Sequence, residues 1–130
     1  MRRVLATVLL TIVSTSALAD WVYVTGNDFA TLYMDFSTLR RQGNFVRVWT
    51  LSDWAKPEKL SDEVSYRSSR TLLEYDCIEE MTRIRASVAY ADAMGKGTAV
   101  LSTTMISEWA HIPPESLARE MWEVACAFRP

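Results

Sequence analysis

Apolar and polar residues alternate with a period of two through most of the chain, the pattern of β-strands that bury one face. Three such runs precede residue 55: Trp21 to Thr25, Thr31 to Phe36 and Phe45 to Ser52. The last two are joined through Arg41-Gln42-Gly43-Asn44, whose Gly-Asn pair is a turn signal between apolar runs. Ala55 to Glu63 mixes proline with charge, which interrupts both strand and helix periodicity, and reads as an exposed loop. Beyond it lie Ser65 to Cys77, Thr82 to Ala91 and Thr98 to Trp109, with Met94-Gly95-Lys96-Gly97 as a hairpin turn that needs a positive φ at a glycine. Six strands on short connections predict an antiparallel meander in one sheet.

The period changes near the C-terminus. From Pro113-Pro114-Glu115-Ser116 onward, Leu117, Met121, Val124, Ala125 and Phe128 form an amphipathic stripe, which predicts a helix covering one sheet face. Pro114 and Glu115 suit its first turn, where a missing amide hydrogen is harmless and a carboxylate complements the helix dipole. The fold class is therefore α+β. Trp122 and Cys126, one turn apart, flank the stripe within reach of the strand that ends at Cys77.

The hairpin around Ile78-Glu79 fixes a register. If Cys77 faces Glu80, then Glu74 pairs with Arg83 and Leu72 with Arg85 on one face, while Leu73 meets Ile84 and Thr71 meets Ala86 on the other. Cys77, Tyr75 and Leu73 then share the buried side with Ile84, Ala86, Val88 and Tyr90. The Glu74–Arg83 pair is expected to be an exposed contact worth well under ~1 kcal/mol.

The first nineteen residues stand apart from this pattern. Met1-Arg2-Arg3, the apolar run Val4 to Val13 and Ala17-Leu18-Ala19 have the order of a secretory signal peptide, with cleavage expected after Ala19. The apolar run is about half the roughly twenty residues that a membrane-spanning helix needs. No cysteine follows it, so a lipid-modified terminus is not expected. The expected product is one exported domain of residues 20–130, periplasmic or secreted, without a membrane anchor or lipid. It carries twelve basic and sixteen acidic residues. A mildly acidic domain lacks the basic field that nucleic acid or anionic lipid requires, so no nucleic acid partner is expected.

Cys77 and Cys126 are the only two cysteines, and in an oxidising compartment an even count reads as a disulfide. The alternative is two buried free thiols. A bridge would close a loop of about fifty residues and stabilise the fold by roughly 4 kcal/mol on a chain-entropy account.

Candidate chemistry is sparse. His111 is the single histidine and has no ligand or base partner at helical or hairpin spacing. Asp76, Glu79 and Glu80 lack the glycine-spaced pattern of a calcium loop and read as a solvated turn. No catalytic residue, metal site or cofactor is expected, and the chain reads as a non-enzyme. Five tryptophans are the remaining anomaly. In the third strand Val46 and Val48 occupy one face and Phe45, Trp49 and Leu51 the other. If the helix packs one face, the second needs another cover: the chain's own loops, a second subunit in a homodimer, or a partner protein. Phe45, Arg47, Trp49 and Leu51 are the candidate interaction face.

Phe45-Val46-Arg47-Val48-Trp49, Glu74-Tyr75-Asp76-Cys77, Arg83-Ile84-Arg85, the glycines Gly95 and Gly97, Trp109 with Ile112-Pro113-Pro114-Glu115-Ser116, and Trp122 to Cys126 together resemble the bacterial surface-adhesin protein E family. The resemblance spans nearly all of residues 20–130. It implies a six-stranded antiparallel sheet whose C-terminal helix is tethered by a disulfide, matching Cys77 and Cys126. It also implies binding to host extracellular-matrix or serum proteins, and dimerisation. The missing lipidation cysteine departs from the family's surface lipoprotein. The alternative function is a periplasmic binder of a small molecule or envelope component, using a cleft between helix and sheet near Trp109 and Trp122.

Overall fold

A computed structural model describes residues 19–129; the expected leader, apart from Ala19, lies outside the described residues. The strands are β1 (Val22–Gly26), β2 (Ala30–Gln42), β3 (Phe45–Lys59), β4 (Ser65–Asp76), β5 (Met81–Tyr90), β6 (Ala99–Thr103) and a two-residue β7 (Ala110–His111), followed by α1 (Leu117–Ala127). β1 to β6 lie side by side in chain order, every pair antiparallel, so the main sheet is the expected six-stranded meander. β7 continues the β6 edge by pairing with the start of β5.

Alternation decides what each face buries. Val46, Val48 and Tyr75 point to the side that α1 covers and form one core with Met34, Leu39, Ile112, Met121 and Ala125. A bulge in β2 between Asp35 and Arg40 adds to this side. It delivers Phe36 to stack on Phe128 at 4.8 Å, and the Thr38 hydroxyl accepts a bond from the Trp49 amide.

The helix is held at several points. Cys126 is bonded to Cys77, their Cα atoms 5.7 Å apart, and the Trp122 indole N–H donates to the Asp76 carbonyl at 3.1 Å. Arg119 bonds Glu80 at 2.8 Å, and Arg41 donates at 2.8 Å to the Cys126 carbonyl at the helix end, an acceptor it shares with Arg129. Helix and sheet are thus stapled as expected, with Trp122 and Cys126 both turned toward the β4–β5 hairpin.

Four expectations are corrected. The stretch Ala55 to Glu63 is exposed, but β3 runs through Pro57 to Lys59. The register jumps from Asp53↔Ser68 to Glu58↔Tyr66, so proline sits in a bulge where no ladder amide is required. The expected last strand, Thr98 to Trp109, is broken: β6 stops at Thr103, Ser107 bonds Ile84 of β5 through both its amide and its hydroxyl, and strand pairing with β5 resumes at Ala110. The helix begins later than its proline pair suggests, because Ser116 is the cap and its hydroxyl accepts from the Arg119 amide at 3.1 Å. Finally, the β4–β5 register follows Glu74↔Arg83 and Leu73↔Ile84 but then shifts, so Leu72 faces Ala86 and Thr71 faces Ser87. Beyond this bulge Ala86, Val88 and Tyr90 lie on the face away from the helix, not on the cysteine side.

That second face is partly covered by the chain's own turn. Ser68, fully buried, accepts from the Gly95 amide and donates to the Asp92 carbonyl, while Asp53 accepts from the Met94 amide. These bonds lay the Ala93–Gly95 turn over Leu51. Gly95 and Gly97 have φ of +70° and +80°, as the hairpin reading requires, and a Cβ on Gly97 would lie 2.4 Å from the Asp92 carboxylate.

Candidate functional site

The rest of the second face gathers charge. β3–β4 pairing sets Arg47 opposite Glu74, and β4–β5 pairing sets Arg83 opposite the same residue. The bulge that follows brings Arg85 to it as well. Glu74 Oε2 accepts from Arg47 Nε at 2.9 Å, while Oε1 accepts from Arg83 Nε at 2.6 Å and from Arg85 Nη1 at 3.2 Å. Glu74 is only 4% exposed. The expected exposed Glu74–Arg83 contact is therefore corrected to a buried carboxylate shared by three guanidinium groups. Burial alone raises the Glu74 pKa, but bonds from Arg47 and Arg83 and their positive charge outweigh it and hold the carboxyl below 4.5.

Aromatic rings frame the cluster. The Arg83 guanidinium lies 4.5 Å from the Trp109 ring centroid, and Phe45 lies 5.7 Å from the same ring. A cleft of about 340 Å³ opens beside them, lined by Arg40, Arg41, Gln42, Phe45, Arg47 and Glu74. Arg40 stands directly opposite Arg47 across the β2–β3 pair.

Of the four residues expected on the interaction face, Phe45 is 41% exposed and lines this cleft with Arg47. Trp49 lies one pair further along β3, half-buried, with Arg70 5.0 Å over its ring. Leu51 is fully buried beneath the Ala93–Gly95 turn and presents nothing to a partner. Sequence reasoning passed over Glu74, Arg83, Arg85 and Trp109 as parts of one cluster. The parity of Arg83 and Arg85 facing Glu74 was the available signal.

The space between helix and sheet also differs from expectation. An apolar hollow of about 250 Å³ lies there, lined by Leu32, Leu73, Tyr75, Ile84, Ala118 and Met121 among others. Neither tryptophan lines it: Trp109 stands on the opposite face and Trp122 is turned to Asp76. His111 lies exposed on β7, and among the described residues no group of three or more His, Cys, Asp or Glu side chains is placed to hold a metal ion.

A meander of six strands with a terminal helix clamped by one disulfide, and a face of arginine and aromatic side chains, defines a small stapled sheet-and-helix domain. The sequence profile of surface-adhesin protein E matches residues 21–127, and the chain belongs to that family. Two solved structures share the fold. Crystal form II of Haemophilus influenzae protein E superposes with a TM-score of 0.66 at 14% identity, covering 87% of this chain and 91% of that one. Protein E from non-typeable Haemophilus influenzae gives 0.62 at 14% identity, covering 87% and 79%. No curated protein sequence matches.

Proposed function

We propose that the protein is an exported, non-enzymatic binding protein that works through protein contacts on the sheet face opposite α1, centred on Phe45, Arg47 and Trp49. Its compartment is the periplasm or the exterior, without a lipid anchor, and extracellular-matrix and serum proteins are the first partners to test. The observation that carries this reading is the exposed Phe45 ring beside Arg47 and the Trp109–Arg83 stack, since aromatic and arginine side chains concentrate binding energy at protein interfaces. Family membership agrees with it.

The test is a binding screen of the oxidised protein against envelope, matrix and serum proteins. Phe45→Ala and Trp49→Ala proteins, still folded, are expected to lose the partner that wild type retains. Undiminished binding by both variants to every partner contradicts the reading. The apolar hollow under α1 supports a second one, a small-molecule or envelope-component binder. Protection of Met121 and Ala118 by an added hydrophobic ligand would favour it.

A further inference from the structure

The same face points to the chemistry of its partner. We propose that Arg40, Arg47, Arg83 and Arg85, massed around Glu74 between Phe45 and Trp109, form a receptor for a short acidic segment of a protein; the inference rests on reading this face as a protein-contact surface. Three guanidinium groups share one buried carboxylate, and a fourth, Arg40, stands opposite Arg47 beside them. Glu74 accepts from Arg47, Arg83 and Arg85, whereas among the described residues the Arg40 side chain donates to the Ser37 and Leu39 carbonyls and not to Glu74. Asp76, two residues along β4, adds a second negative charge, its Oδ1 accepting from the Ile78 and Glu79 amides of the turn, so four arginines stand against two carboxylates. The cluster therefore keeps a positive surplus. Among the described residues Arg47 makes its side-chain bonds to Glu74 through Nε, so both of its Nη groups remain for a ligand in the cleft it lines.

Three features select the ligand class. Guanidinium forks match carboxylates in paired hydrogen bonds, and Glu74 already fixes three of them, so little freedom is lost on binding. The cleft, about 340 Å³, suits one or two side chains, with Phe45, itself packed against Trp109, supplying an apolar wall. Apart from these four arginines and Glu74, residues 20–130 carry eight basic and fifteen acidic side chains. A long polyanion, such as a sulfated glycan, would leave the cleft and meet a repelling surface; a short acidic segment would not.

The test uses the oxidised protein and a blocked pentapeptide of four glutamates around a central phenylalanine, against the same peptide with glutamines and a heparin-derived hexasaccharide. Binding is followed by NMR of the arginine Nε–H and tryptophan indole N–H signals. The expected result is that the glutamate peptide moves Arg47, Arg83 and Trp109 signals, weakens with salt, and is at least fivefold better than its glutamine counterpart. Arg40→Gln, which leaves the Glu74 bonds intact, and Arg47→Gln should each weaken it by about tenfold. Silence at those signals, or hexasaccharide binding there without peptide binding, overturns the inference. If Phe45→Ala loses a captured partner while the peptide stays silent, the contact reading stands and the acidic-segment inference falls. If the peptide binds at the arginines while Phe45→Ala and Trp49→Ala keep every partner, the inference stands and the contact reading falls.

Discussion

Replacing Glu74 with glutamine keeps the shape of the side chain and removes its charge, leaving three guanidinium groups crowded around a neutral amide. Breaking a buried ion pair by removing one partner typically costs about 3 to 5 kcal/mol. Here the arginine side chains keep 44%, 26% and 20% of their exposure, so water takes up part of the released charge. Glutamine also retains one acceptor. A loss of about 2 kcal/mol at neutral pH follows, which lowers a urea midpoint by roughly 1 M for a domain of this size. The sign of the pH dependence is fixed by the lowered pKa. The carboxylate's contribution is complete above its unfolded value near 4.5 and is lost as pH falls through the lower folded value. Urea titrations of wild type and Glu74→Gln should therefore show a gap at pH 7 that closes under acid. Equal midpoints at pH 7, or a gap that persists unchanged at low pH, would refute the hub as a source of stability.

Exchanging Cys77 and Cys126 together for serine should cost about 2 to 4 kcal/mol, read as a lower unfolding midpoint than that of the oxidised protein. Gly97→Ala forces a Cβ against Asp92 at φ +80° and should destabilise the β5–β6 turn by about 1 to 3 kcal/mol in thermal unfolding. Burial pushes the Tyr75 phenol well above its ordinary 10.0, so its contribution is intact below pH 10 and fades only as pH climbs beyond. An ultraviolet titration should find one tyrosine that ionises only when the protein unfolds.

Much of the fold was legible because two-residue alternation and one amphipathic stripe are strong signals. Val46 and Val48 against Phe45 and Trp49 gave the two faces of β3, and Cys77 with Cys126 gave the staple. What escaped was produced by irregularity. Bulges at Asp35, Asp53 and Leu72 change which residues share a face, and nothing in local composition announces them. Pro57 looked like a strand end because its tolerance depends on such a bulge. The burial of Glu74 depends on Arg85, whose approach needs the bulge beside it, and on Arg83, which packs against Trp109 from far along the chain. Pair by pair, the contact looked like an ordinary surface ion pair. Leu51 looked like part of an open face because the turn that covers it is forty residues distant.

The most direct test of the account is a Kd comparison, by titration calorimetry, for a partner captured on the wild-type protein. Phe45→Ala is expected to weaken binding at least tenfold, whereas Glu123→Ala on the exposed side of α1 should leave it unchanged. Unchanged binding by Phe45→Ala, with a loss at Glu123→Ala, would place the contact on the helix side and contradict the account.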